Sequence, residues 1–225
     1  GEMAEVRPED ILSQTINSLM QETKINKDDI EDIITGCAYP EGAQGNNIAK
    51  IVSFMTNMPE HVAGMTVNRW CGSSMQAIHD ATGAIAINSG DVFICCGVES
   101  MTFIPMNGLT YDPHPQLNKD NPNVYMSMGI TAENVAKKFD ISRKEQQEFA
   151  ISSHKKANDA RESNMFDDEI VTLLNKNEKI NKDGGIRTNT SHEVWDGIKV
   201  VIDENGKVTE GTEYSIKVGG SWVSV

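Results

Sequence analysis

The segment TVNRWCGSSMQAIHDA, residues 66–81, places one cysteine, Cys71, between a strand-like run and a helical one. At such a junction the first backbone N–H groups of the helix lack acceptors and the helix dipole presents its positive end, so a thiolate is favoured there. The same N–H groups suit an oxyanion or a phosphate, which makes acyl transfer a natural chemistry for the position. Arg69 adds a nearby cation. Free cysteine is also among the most buried residue types and often packs as a small hydrophobe. Cys37, Cys95 and Cys96 have flanks that fit packing; Cys71, with polar NR before it and GSS after, does not. The local pattern leaves both readings of Cys71 open.

The four cysteines have no C-x-x-C or other metal-ligand spacing, so a reducing compartment and no metal site are expected. With 225 residues the chain is long enough for a substantial core. A formal net charge of −13 repels phosphate backbones, and no basic patch offsets it, which argues against a nucleic-acid ligand. No window has the apolar length of a membrane span, and GEMAEVRPED lacks the basic and apolar regions of a secretory signal. A cytoplasmic location is expected, or an organellar one if a targeting segment preceded these residues.

The elements that would position Cys71 follow from periodicity. RPEDILSQTINSLMQET aligns Leu12, Ile16 and Leu19 on one helical face, with Pro8 and two acids in the first turn. Ile30 to Ala38 reads as a strand, GNNIAKIVSFMT as a helix with Ile48, Ile51 and Met55 on one side, and AGMTVNRW as a second strand. From Ser73 a helical period returns through Met75, Ile78, Ala81 and Ile85, and Gly90 ends it. The small residues Gly72, Ala77, Ala81, Gly83, Ala84 and Ala86 of this helix invite close backbone approach. DVFICCGVES is a continuous apolar run, as in a strand covered on both faces of a parallel sheet. Alternating helices and strands imply an α/β layered domain.

After Pro105 the sequence becomes rich in Asn, Pro and Asp, and MNGLTYDPHPQLNKDNPNVYMSMG reads as a long functional loop. TAENVAKKF follows with Thr131 as its N-cap, and Ser142 with Glu145 forms a capping box that opens a helix through about Arg161. KDGG and DENGK turns lie between short runs, IKVVI and EYSIKV among them, that resemble hairpins.

Four ordered motifs, VNRWCGSSMQAIHDA, CGVESMTFIPM, MGITAENVAKKFDISRKEQQEFAISSHKKA and GIRTNTS, resemble the N-terminal half of thiolases, most closely the degradative 3-ketoacyl-CoA thiolases of fatty-acid β-oxidation. The resemblance runs from about Arg7 to about Gly211. It implies a thiolase-like layered fold, with helices packed on a mixed, largely parallel sheet and a helical and loop insertion. Residues 1–105 would form the α/β core without its first strand, 106–211 the insertion, and 212–225 an atypical tail. It also implies a ping-pong acyl transfer in which Cys71 is the nucleophile. Met128 matches a methionine that packs near the acyl-pantetheine, and Ser215 (or Tyr214) falls near a serine that contacts coenzyme A. Lys137, Lys138, Arg143 and Lys144 offer cations for an anionic ligand, although a solvated helix face accounts for any one of them. Coenzyme A enters as a substrate and no cofactor is implied. A homodimer or tetramer is implied, with a β-oxidation complex as a further partner.

The resemblance has gaps. The family's His in a G-H-P or N-E-A-H-P context and second cysteine in C-x-G-G-G have no counterpart in these residues, and no D-G-A follows Ser215. His114, in DPHPQ, reads as a loop histidine, and His79 lies more than two helical turns from Cys71. Lys50 stands where an arginine is common. The chain is therefore expected to lack the C-terminal thiolase domain and to be inactive alone. A non-catalytic coenzyme A-binding or assembly module derived from a thiolase is the alternative, as is an acetoacetyl-CoA thiolase working in the condensing direction.

Overall fold

The computed structural model describes residues 2–191 and the strand backbones of 215–218 and 221–224. The chain divides into two compact units, one of Glu2–Tyr111 with Val171–Asn181, the other of Asp112–Ile170 with the chain from Lys182 onward.

Three parallel strands organise the first unit: β1 (Asp32–Gly36), β2 (Ala63–Val67) and β3 (Phe93–Gly97), in the order β2-β1-β3. Ile33 stands beside Gly64 and Ile94, and Gly36 beside Val67 and Gly97. Parallel neighbours cannot be joined by a tight hairpin, so helices make the crossovers. These are α2 (Ile48–Met55) between β1 and β2, and α3 (Ser73–Ala86) between β2 and β3; α1 (Pro8–Thr23) precedes the sheet. Side chains alternate across a strand. Ile33 and Ile94 therefore pack with Leu12, Ile16, Ile48 and Val52 of α1 and α2, while Ile34, Phe93 and Cys95 meet Ala77 and Ala81 of α3. Helices thus cover both faces of the sheet, the α/β arrangement that the alternating pattern implies.

Helix existence follows the sequence closely, but the buried stripes are rotated. In α1 the core-facing residues are Pro8, Leu12 and Ile16, with Met20 packed against the same cluster, while Leu19 is exposed. In α2 they are Ile48, Ala49 and Val52, leaving Ile51 and Met55 exposed. In α3 they are Ser73, Ala77 and Ala81, and Met75, Ile78 and Ile85 stay exposed among the described residues. An i, i+4 row of small residues lets α3 lie close to the sheet, and that approach outweighs the larger side chains one step round the helix.

The hairpin β4 (Leu173–Asn175) and β5 (Glu178–Ile180) belongs to the first unit, although its position in the chain puts it within 106–211. Leu173 and Ile180 bury against Val6. Gln14 grips the hairpin backbone, accepting from Leu174 N at 2.7 Å and donating to Leu174 O at 3.3 Å.

The second unit contains α4 (Pro115–Asp120), α5 (Met128–Phe139) and α6 (Arg143–Glu162), with strands β6 (Ser215–Val218) and β7 (Ser221–Ser224) paired antiparallel. The long Asn- and Pro-rich stretch is less irregular than expected. His114 caps α4 by accepting from Leu117 N at 3.2 Å, Pro115 supplies a first helical residue with φ already set, and a 3₁₀ turn follows at Pro122–Tyr125. The N-cap of α5 is Ser127, not Thr131: Ser127 Oγ accepts from Ile130 N at 3.4 Å, and Thr131 Oγ1 turns back to Ser127 O at 3.0 Å inside the helix. The capping box of α6 is present, with Ser142 Oγ accepting from Glu145 N and the Glu145 carboxylate accepting from Ser142 N at 2.8 Å. The IKVVI run and the DENGK turn lie outside the described residues.

Candidate functional site: a cysteine turn at the carboxyl ends of parallel strands

Cys71 lies in the five-residue turn, 68–72, between β2 and α3, at the strand ends where open α/β sheets bind ligands. Trp70 has a left-handed φ of 48°, which a bulky side chain adopts only when its surroundings hold it. The holding bonds are specific. Asn68 Oδ1 accepts from Trp70 N at 2.9 Å, Ser73 Oγ donates to Trp70 O at 2.5 Å, and Arg69 N donates to Ser73 Oγ at 2.9 Å. Gly72 N and Ser73 N close the turn on Arg69 O and Trp70 O, each at 3.0 Å. The Tyr39 and Trp70 rings meet edge to face with centroids 5.3 Å apart.

The amino end of α3 is seated by two glycines that belong to the strands. A Cβ on Gly36 would run into the backbone of Ser73 and Ser74, and one on Gly97 would overlap Ser74 Oγ. Small residues were expected to permit close approach from the helix side. The helix contributes Ala77 and Ala81, while a Cβ on Gly83 would meet nothing within 4 Å.

Cys71 is exposed, and among the described residues no hydrogen bond is formed by the backbone N–H groups of Cys71, Ser74 or Met75. Cys71 therefore immediately precedes a helix start whose first donors are uncommitted, and such donors can receive an oxyanion. The other cysteines occupy different surroundings. Cys37 is buried with its thiol pushed up to about 12, mainly by burial and then by the nearby Glu99 carboxylate. Cys96 is pushed up to about 11 by burial, and burial also raises Cys95.

Beside the turn, Glu99 gathers the segment that leaves β1. Its carboxylate accepts from Ala38 N at 2.6 Å, Tyr39 N at 3.3 Å and Gln44 Nε2 at 2.7 Å. The fully buried Gln44 accepts from Ser100 N at 2.5 Å. Asn68 joins this network to the cysteine turn by donating to Ala38 O at 2.9 Å. Asn68, Gln44, Glu99 and Gly36 were not singled out from the sequence. Asn68 had one local signal, an asparagine two residues before a backbone N–H that its side chain can cap. The others act through partners distant in sequence.

Of the remaining predicted residues, Met128 is the first residue of α5 in the second unit and is 67% exposed. Lys137 and Lys138 lie in the last turn of α5, and Arg143 and Lys144 in the first turn of α6. The backbone of Ser215 begins β6, and its side chain lies outside the described residues, as does Tyr214. His79 is an exposed residue of α3, and the His114 ring is used in capping α4. Lys50 donates to Val62 O at 2.6 Å and stands over the Phe54 ring.

Together these features define an α/β protein that presents a cysteine at a helix start on the carboxyl edge of a parallel sheet. Residues 1–223 match the model of the thiolase N-terminal domain, and the chain belongs to the thiolase family. It is 38% identical to the 3-ketoacyl-CoA thiolase of Idiomarina loihiensis over 98% of its own length and 59% of that protein. To the 3-ketoacyl-CoA thiolase of Bacillus subtilis it is 34% identical, covering 99% of the chain and 60% of the relative. Its structure superposes on the Bacillus anthracis acetyl-CoA acetyltransferase with a TM-score of 0.76 and 27% identity, covering 93% of this chain and 57% of that one. The chain thus spans less than two thirds of the length of these relatives. The thiolase layered fold expected from the motifs is the fold observed.

Proposed function

We propose that this chain carries the acyl-accepting half of a thiolase site, and that Cys71 takes the acyl group from a 3-ketoacyl-CoA. The observation that carries the reading is the exposed Cys71 thiol beside uncommitted N–H donors in a chain of the thiolase family. The Cys71 thiolate attacks the keto carbon, and the bond between that carbon and the adjacent CH₂ breaks. The leaving electron pair takes a proton to give acetyl-CoA, and the thiolate of free coenzyme A then releases the shortened acyl-CoA. A thioester suits both halves because sulfur attacks and leaves well. The proton transfers need groups outside these 225 residues, since the family's His and second-cysteine motifs have no counterpart here. Turnover by the chain alone is accordingly expected to be negligible.

Met128, Ser215 and the cations Lys137, Lys138, Arg143 and Lys144 are the proposed contacts for coenzyme A, which acts as a substrate. A role in β-oxidation, a cytoplasmic location and assembly as a homodimer or tetramer complete the proposal. No helix among the described residues is long and apolar enough to cross a membrane.

The test is single-turnover acylation. Incubation with acetyl-CoA should block later alkylation of Cys71 by iodoacetamide, and hydroxylamine should restore it, because a thioester is cleaved and mere shielding is not. Peptide mapping that shows no hydroxylamine-sensitive acetyl group on Cys71, or an equal amount on the other cysteines, removes the proposal.

A further inference from the structure

We propose that Asn68 is a positioning residue for Cys71, its amide fastening the turn that carries the thiol to the segment leaving β1. The inference rests on the reading of Cys71 as the acyl acceptor and adds what holds it in place. Asn68 uses both ends of its side chain across thirty positions of sequence: Nδ2 donates to Ala38 O and Oδ1 accepts from Trp70 N, each at 2.9 Å.

Each end has a distinct consequence. Trp70, immediately before Cys71, is held at a φ of 48°, where L-residues are disfavoured, so the turn relaxes unless its N–H is captured. Ser73 captures the carbonyl of the same residue, and together they hold the two peptides that flank the Trp70 Cα. At the other end, Ala38 is a firm anchor because its own N–H is bound by Glu99 at the exit of β3. A line of hydrogen bonds thus runs from β3 through Glu99 and Ala38 to Asn68 and on to the residue preceding the thiol. Asn68 is itself exposed, so its removal should cost the fold little while releasing the turn.

The experiment uses the full chain with Asn68→Ala and Asn68→Ser. Serine can still accept from the N–H two residues on, but it is too short to reach Ala38 O. Two readouts are followed by mass spectrometry at pH 7: tryptic cleavage after Arg69, and iodoacetamide labelling of Cys71 relative to a synthetic peptide of residues 66–76. In Asn68→Ala, which loses both hydrogen bonds, cleavage after Arg69 should rise about tenfold, and Cys71 labelling should fall to the peptide's rate. Asn68→Ser should cleave about threefold faster than the parent and recover part of the labelling rate, as expected when one of the two bonds is kept.

Parental cleavage and labelling in Asn68→Ala overturn the proposal, and so does faster labelling of Cys37, Cys95 and Cys96 in step with faster cleavage, which would mean general loosening. Should Asn68→Ala fail to fold, Asn68→Ser decides alone, and parental cleavage after Arg69 overturns it. If Cys71 of the parent reacts no faster than the peptide, the acyl-acceptor reading fails. The cleavage comparison then still reports on the brace.

Discussion

Helices α3 and α6 are built by opposite means. The 14 residues of α3 have no side-chain cap and are seated by packing: Ser73, Ala77 and Ala81 face the sheet, and Gly36 and Gly97 clear space for its first turn. The 20 residues of α6 bury only Gln147 among the described residues, and local sequence supports them through the Ser142–Glu145 box and the Lys155–Asp159 pair at 2.6 Å. A helix held by long-range packing places its first residues rigidly, which suits a nucleophile. One held by its own caps depends mainly on partners a few positions away.

The largest effect is expected from Gly36→Ala. The added Cβ meets backbone, which cannot rotate away, so a loss of about 3 kcal/mol or more in urea unfolding is expected. At Gly97 the obstacle is a side chain, and Ser74→Ala should rescue most of the smaller loss caused by Gly97→Ala. Equal losses at the two positions would deny that α3 is seated through its backbone on β1.

Next in size is a pH effect confined to the packed unit. The folded Cys37 thiol lies near 12, above its ordinary value of 9.0, so the folded state holds a proton that the unfolded chain releases in between. Stability is therefore retained below pH 9 and falls as pH rises from about 9 towards 12. Cys37→Ala should reduce that slope in unfolding measured across this range, leaving the part that Cys95 and Cys96 supply; an unchanged slope assigns it elsewhere.

In α6 the effects should be smaller and local. Ser142→Ala removes the cap and should cost about 1 kcal/mol, seen as faster amide exchange in the first turn of α6 with the β1 amides unchanged. Smallest of all, Lys155→Ala should change stability by about 0.5 kcal/mol or less, and less again in high salt, because both partners are exposed. A larger value would mean that α6 depends on that pair more than a solvated helix face does.

How much was legible beforehand divides along the same line. The capping box, the Pro8 start of α1 and the order of strands and helices are written in neighbouring residues, and they appear where the pattern put them. The buried stripes of α1, α2 and α3 were each read slightly rotated, because periodicity ranks residues by size whereas packing ranks them by how near two backbones must come. Cys71 stood out by its polar flanks. Its braces did not, since Glu99 acts on Ala38 from 61 positions away and Gln44 on Ser100 from 56.

Taken alone, the amino-acid order determined that helices and strands alternate, that a cysteine falls between the second strand and third helix, and that α6 begins at a capped serine. These depend on contacts within a few positions. Only the tertiary structure decided that Gly36 and Gly97 set the height of α3, that Trp70 is held in a left-handed turn, and that Cys37 is buried beside Glu99 while Cys71 is exposed. Those outcomes depend on atoms brought together by folding, and their energies arise from close packing, desolvation and hydrogen bonds between distant segments.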